Sequence, residues 1–270
     1  INIFISTKAP PDEIMARMSG LGDGLKNLIS NNEFQTGIYV PTTLEEFTYN
    51  LTTPGIEATV PQIIKTEMPE SNPTVTGRHR NASETNNKNE VISLYETAVF
   101  KGSKMIGSLD QTESRGYRWL NPFIKTGGFL VINFPVQPQQ YTALEVIRFS
   151  SKTRPRLCRD GLKMRLEINA RLNFYEQTGS EEWLTPAMIK KLEAEANHEI
   201  AHQIKCCIKK SQQLNSDILG WGLKLQEYEP DEWERLKSDW DDIYPMIEAD
   251  IRVKTVIKHT YLTNHSFQYQ

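Results

Sequence analysis

Positions 163 to 175 alternate almost without fault, and this pattern constrains the fold more than any other feature of the chain. Met164, Leu166, Ile168, Ala170, Leu172 and Phe174 fall on one face, and Lys163, Arg165, Glu167, Asn169, Arg171 and Asn173 on the other. A period of two describes a strand with one face buried and one in water, as in an antiparallel sheet. Its apolar face needs a cover, and the following residues supply one. Thr185-Pro186 combines an N-cap with proline at the first helical position, predicting a helix from there to about Leu214. Leu192, Ala196, Ile200, Ile204, Cys207 and Leu214 form its apolar stripe.

After Gly220-Trp221-Gly222, a shorter helix is expected from Pro230 to Tyr244, with Trp233, Leu236, Trp240 and Ile243 at spacings of three and four. Pro245 should end it. A last strand sets Ala249, Ile251, Val253 and Ile257 against Glu248, Asp250, Arg252, Lys254 and Lys258. The expected class is α+β, with antiparallel or mixed sheets packed with helices and the long helix lying between antiparallel strands.

Upstream, residues 1–67 read as part of an α+β domain. A strand at Ile1 to Ser6 precedes helical stretches around Pro11 to Met18 and Leu25 to Ile29, and a third begins at Thr43. Residues 68–90 bring Pro69, Pro73, Gly77 and a polar run with little to bury, so a linker between domains is expected there. Residues 91–265 form the second expected domain. Within it, Thr97 to Phe100 and Met105 to Gly107 flank Lys101-Gly102-Ser103-Lys104, whose central Gly-Ser suits a two-residue hairpin turn.

A formal charge of −3 over 270 residues gives no broad positive field, which argues against nucleic acid as a partner. No apolar run approaches the roughly 20 residues of a membrane-spanning helix. The loudest chemical motif is His198-Glu199-Ile200-Ala201-His202, the H-E-x-x-H in which two imidazoles one turn apart hold zinc and the glutamate activates water. On the expected helix, however, His198 lies opposite the apolar stripe and His202 well away from it, and no histidine follows at the metzincin spacing. Zinc hydrolysis through His198, Glu199 and His202 is therefore the weaker alternative. The glycines of Ser19 to Gly24 match no phosphate loop, and Asp239, Asp241 and Asp242 lack the glycine and glutamate of a calcium loop. No motif implies a cofactor. Cys207 reads as core, while Cys206 lies nearer the helix flank.

Three blocks in order, Thr97-Ala98-Val99-Phe100-Lys101-Gly102, Gly107-Ser108-Leu109-Asp110 and Glu113-Ser114-Arg115-Gly116-Tyr117-Arg118-Trp119-Leu120, resemble the Ger(x)C family of spore germination proteins. Asn215 to Gly222, Glu232 to Leu236 and Trp240 to Pro245 continue the resemblance. It is strong over residues 91–260 and weaker over 1–67. The resemblance implies a non-catalytic C subunit of a nutrient germinant receptor, acting with membrane-embedded A and B subunits and with other receptor complexes clustered beside it. It also implies a lipoprotein, tethered through a diacylglycerol-bearing cysteine to the outer face of the spore inner membrane. Neither the signal nor that cysteine is in this sequence, which opens inside a strand, so a preceding N-terminal portion is expected. For partner binding, Arg115, Tyr117, Arg118, Trp119 and Trp221 combine aromatic and arginine anchors with glycines that let backbone come close. The same tryptophans also suit an interior.

Overall fold

The computed structural model describes residues 2–6, 37–67, 90–133, 141–159, 161–177 and 185–260. The helical stretches expected at Pro11 to Met18 and Leu25 to Ile29, the glycines of Ser19 to Gly24 and the polar run after Glu67 lie outside these residues.

Two four-stranded sheets organise the chain. The first has the order β2-β4-β5-β6, from β2 (Ile5–Ser6), β4 (Thr59–Glu67), β5 (Glu90–Lys101) and β6 (Lys104–Leu109). A small pair, β1 (Asn2–Ile3) with β3 (Thr42–Thr43), stands beside it, and α1 (Leu44–Thr52) follows β3. The expected hairpin is present: Lys101 pairs with Lys104 across Gly102-Ser103, and Gly102 takes φ 54°, the left-handed conformation such a turn requires. The linker expected at 68–90 needs correction. β4 pairs antiparallel with β5, Thr59 with Val99 through Glu67 with Glu90, so the polar segment joins two neighbouring strands of one sheet. A division there would cut a hydrogen-bonded ladder.

The second sheet has the order β10-β9-β8-β7, from β7 (Phe129–Asn133), β8 (Tyr141–Cys158), β9 (Gly161–Gln177) and β10 (Glu248–Thr260). β8 and β9 form a long antiparallel hairpin closed at Cys158 and Gly161. β10 pairs with β9 in parallel, Glu248 beside Lys163, whereas antiparallel pairing was expected on both sides of the long helix. The reason is the connection. α3 (Pro186–Gln213), 28 residues and thus about 42 Å long, crosses back over the sheet and lets β10 start at the end where β9 starts. Its apolar stripe, Leu192, Ala196, Ile200, Ile204 and Ile208, is buried in one core with Met164, Leu166, Ile168 and Leu172 of β9. It also seals the outer edge of β10: Thr255 N donates to Asn197 Oδ1 at 2.8 Å and Ile257 N to Glu193 Oε1 at 2.9 Å. Free strand edges recruit other chains, and these side chains occupy two of the exposed donors.

The segment expected as one helix from Pro230 is broken. α4 (Trp221–Tyr228) comes first, then α5 (Pro230–Leu236), a 3-10 turn at Lys237–Asp239 and α6 (Trp240–Ile243). The tighter turn changes the angle between successive residues, and Trp240 meets Trp233 edge to face at 5.2 Å while its Nε1 donates to Asp217.

α2 (Gln111–Leu120) ties the two sheets together. It starts with a capping box, Asp110 Oδ1 accepting from Glu113 N and Glu113 Oε2 from Asp110 N, both at 2.8 Å. Tyr117 packs with Val40, Val99, Leu109, Cys207 and Ile218, while Trp119 packs into the larger core under the second sheet.

Candidate docking groove

The residues expected to anchor a partner face inward. Arg118 is 4% exposed and Trp221 1%, and Tyr117 and Trp119 are buried with them; Arg115 is half-buried. The guanidinium of Arg118 donates to Tyr39 O at 2.9 Å and to Thr126 O at 2.7 Å, pinning two loops. Arg115 donates to Phe129 O at 2.9 Å. Tyr117 OH accepts from Thr59 Oγ1 at 3.2 Å, and burial pushes its pKa up to about 12. The backbone to which the glycines allow close approach is this chain's own. A Cβ on Gly116 would stand 2.1 Å from Gln203 O of α3, and one on Gly222 would stand 2.5 Å from Gly55 Cα. Surface anchoring by these four buried side chains is thus replaced by a role inside the molecule, because the two helices cross at Gly116 and carry the aromatic groups into the cores.

The same crossing explains Glu199. Trp119 Nε1 donates to Gln203 Oε1 at 2.9 Å, and Gln203 Nε2 donates to Glu199 Oε1 at 2.8 Å. Burial lowers the Arg115 pKa, and the charge of Glu199 opposes that shift. Glu199 is therefore held in a relay that satisfies a buried tryptophan. His198 and His202 are exposed on the opposite side of α3, with His202 against Cys206 Sγ at 3.7 Å. Among the described residues no three His, Cys, Asp or Glu side chains converge as a metal site. Cys207 is fully buried, and burial drives its thiol well above the ordinary range.

Sequence reasoning did not single out Asp217, yet it organises the junction between the sheets. Its two carboxylate oxygens accept from Trp221 N at 2.9 Å, Gly222 N at 2.8 Å and Trp240 Nε1 at 3.1 Å, and its backbone oxygen accepts from Glu57 N at 2.9 Å. Burial raises its pKa to about 7, against those three donors, and the nearby Glu57 carboxyl adds to the rise. Asp217 also borders a cavity of about 270 Å³, with Gly55, Glu57, Asn215, Asp241 and Tyr244. Lys101 already spans that cavity's rim, reaching Asn215 O at 2.8 Å and Asp241 Oδ1 at 3.0 Å.

Among the described residues a groove of about 1260 Å³ runs between α1, the segment after α2, the outer half of β8 and α4. Phe123 is 83% exposed, Tyr49 55% and Tyr228 45% along its rim. Glu45, Glu46 and Glu227 share its lining with Lys152, Arg154 and Lys224, and Lys224 pairs with Glu227 on its own helix at 2.5 Å. Burial raises the Glu46 carboxyl above its ordinary range, and the backbone bond from its N-cap, Thr43, opposes the rise. Exposed aromatics with charges of both signs fit a polypeptide better than an anionic polymer. The rim residues are scattered through four segments, and no sequence pattern brings them together.

Comparison with known proteins agrees with the fold. The chain matches the family described as Spore germination B3/GerAC like, C-terminal, over residues 95–261. Spore germination protein YndF of Bacillus subtilis strain 168 is 25% identical over 174 residues, covering 63% of this chain and 43% of that protein. Spore germination protein KC of the same organism is 29% identical over 86 residues, covering 32% of this chain and 21% of that protein. The crystal structure of the GerBC protein superposes with a TM-score of 0.62 over 82% of this chain and 62% of that one, at 14% identity, and so shows the fold. The chain spans less than half the length of the two sequence relatives. With more than half of its residues carrying the family match, this chain belongs to the Spore germination B3/GerAC like family.

Proposed function

We propose that this chain forms the C-terminal part of a non-catalytic C subunit of a spore nutrient germinant receptor. In this reading it works beside membrane-embedded A and B subunits, and beside other receptor complexes clustered with it. It stands at the outer face of the spore inner membrane, held by an N-terminal lipid anchor. The observation that carries the reading is the family match over residues 95–261, supported by relatives named as spore germination proteins. The groove rimmed by Phe123, Tyr49 and Tyr228 is the surface assigned to a partner subunit. Its occupant is a polypeptide segment that places an apolar side chain among the three rings and opposes charges to Glu45 and Lys152.

The test is the optical-density fall of spores lacking the gene, challenged with nutrients or with a receptor-independent germinant. Loss of the nutrient response alone supports the assignment. Complementation with wild type, or with His198→Ala, Glu199→Ala and His202→Ala combined, should restore it, whereas Tyr49→Ala with Phe123→Ala should not. A nutrient response that persists after paralogous receptors are also deleted would overturn the reading.

A further inference from the structure

The net charge of −3 conceals a strong separation of charge. Residues 148 to 171, the distal part of the β8–β9 hairpin, carry eight basic residues and two acidic ones, Asp160 and Glu167. The strand register concentrates them. Arg154 stands directly opposite Arg165, Arg156 opposite Lys163 and Arg148 opposite Arg171. Like charges placed opposite each other destabilise a sheet. β10 answers two of them, Glu248 pairing with Lys163 at 2.9 Å and Asp250 with Arg165 at 3.2 Å. Among the described residues Arg154, Arg156 and Arg159 make no ion pair, and all three are exposed.

Two further observations say what this end of the hairpin can meet. β7 pairs only with Tyr141 to Glu145 of β8, so the distal half of β8 runs beyond its neighbour. At its end Leu157, 50% exposed, stands beside Arg156 and near Arg159. A shaped protein partner would be expected to use a concavity. The groove takes in Arg154, while Arg156, Leu157 and Arg159 stand outside its lining. Long cationic side chains on one face of the hairpin end and an exposed leucine on the other match the interface of an anionic bilayer entered by the tip. There the charges meet phosphate and the leucine enters the headgroup boundary. We propose that the tip of the β8–β9 hairpin, with Arg156, Leu157 and Arg159 at its end, is a docking surface for an anionic lipid bilayer.

Arg156, Leu157 and Arg159 lie outside the lining of the docking groove, which ends at Arg154 on this strand, and the test distinguishes the two surfaces. The chain is sedimented with vesicles of phosphatidylglycerol and phosphatidylcholine, and with vesicles of phosphatidylcholine alone, at increasing NaCl. Binding to the anionic vesicles alone, weakening as salt rises, is the expected result. Arg156→Gln and Arg159→Gln should each reduce it about fivefold, and Leu157→Ser should reduce it further. Tyr49→Ala with Phe123→Ala should leave it unchanged. These tip residues are exposed, so unchanged thermal unfolding of each variant is the check that the fold is intact. Equal binding to neutral vesicles, undiminished binding by the double glutamine variant, or binding to polyglutamate without binding to vesicles would each overturn the proposal.

Discussion

Gly116 of α2 lies against the backbone of Gln203 on α3 so closely that a Cβ there would meet the Gln203 carbonyl oxygen at 2.1 Å. The obstacle is helix backbone, which cannot swing aside as a side chain can. Gly116→Ala should destabilise the protein by about 3 kcal/mol, although the same change in an exposed helix gains about 1 kcal/mol. Urea unfolding checks this, with Gly102→Ala as the comparison. At Gly102 nothing stands within 4 Å, and only the φ of 54° resists a side chain, at about 1 kcal/mol.

Gln203→Leu removes the acceptor of Trp119 Nε1 at 2.9 Å and leaves a buried N–H unpaired. The expected cost is about 2 kcal/mol, with a changed tryptophan emission spectrum. The histidines on the other side of α3 are exposed, so His198→Ala and His202→Ala should stay within about 0.5 kcal/mol of the parent. Equal costs for all three would contradict the relay.

Arg118→Lys keeps the charge but cannot reach both Tyr39 O and Thr126 O as a planar guanidinium does. A loss of about 2 kcal/mol is expected. Hydrogen exchange should rise in the two loops around residues 39 and 126 before it rises in the sheets. Uniform exchange across the molecule would count against a local clamp.

Asp217 predicts a pH dependence. Its pKa is raised in the folded protein to about 7, above the ordinary value of 3.8, so the native state holds a proton that the unfolded chain releases. This group's contribution is full below about pH 4 and is lost as pH rises through about 7. Asp217→Asn should flatten stability over that window. It should also cost about 2 kcal/mol overall, because an amide nitrogen would face a backbone N–H. Denaturant midpoints measured from pH 4 to pH 8 for both proteins decide the matter.

Phe123, 83% exposed, can be removed without loss of packing. Phe123→Ala should unfold within about 0.5 kcal/mol of the parent while nutrient germination falls. Normal germination with normal protein level would remove the groove from the functional assignment.

Local patterns in the sequence established much of this fold. The alternation from Met164 to Phe174, the N-cap at Thr185 with Pro186 and the Gly102-Ser103 turn each depend on neighbours a few residues apart, and each appears as expected. The blocks around Arg115 to Trp119 and Asp217 to Trp221 carry the family resemblance in the sequence alone. Tertiary structure decided the direction of β10, because a parallel or antiparallel neighbour presents the same alternation. Only the path of α3 over the sheet distinguishes them. It likewise decided that Gly116, Arg118 and Trp119 serve the interior, since an aromatic and arginine cluster looks alike whether its close neighbour is another protein or residue 203 of the same chain. The rim of Tyr49, Phe123 and Tyr228, and the opposition of Arg154 to Arg165, arise from contacts across long sequence separations. They became visible only when folding set those residues side by side.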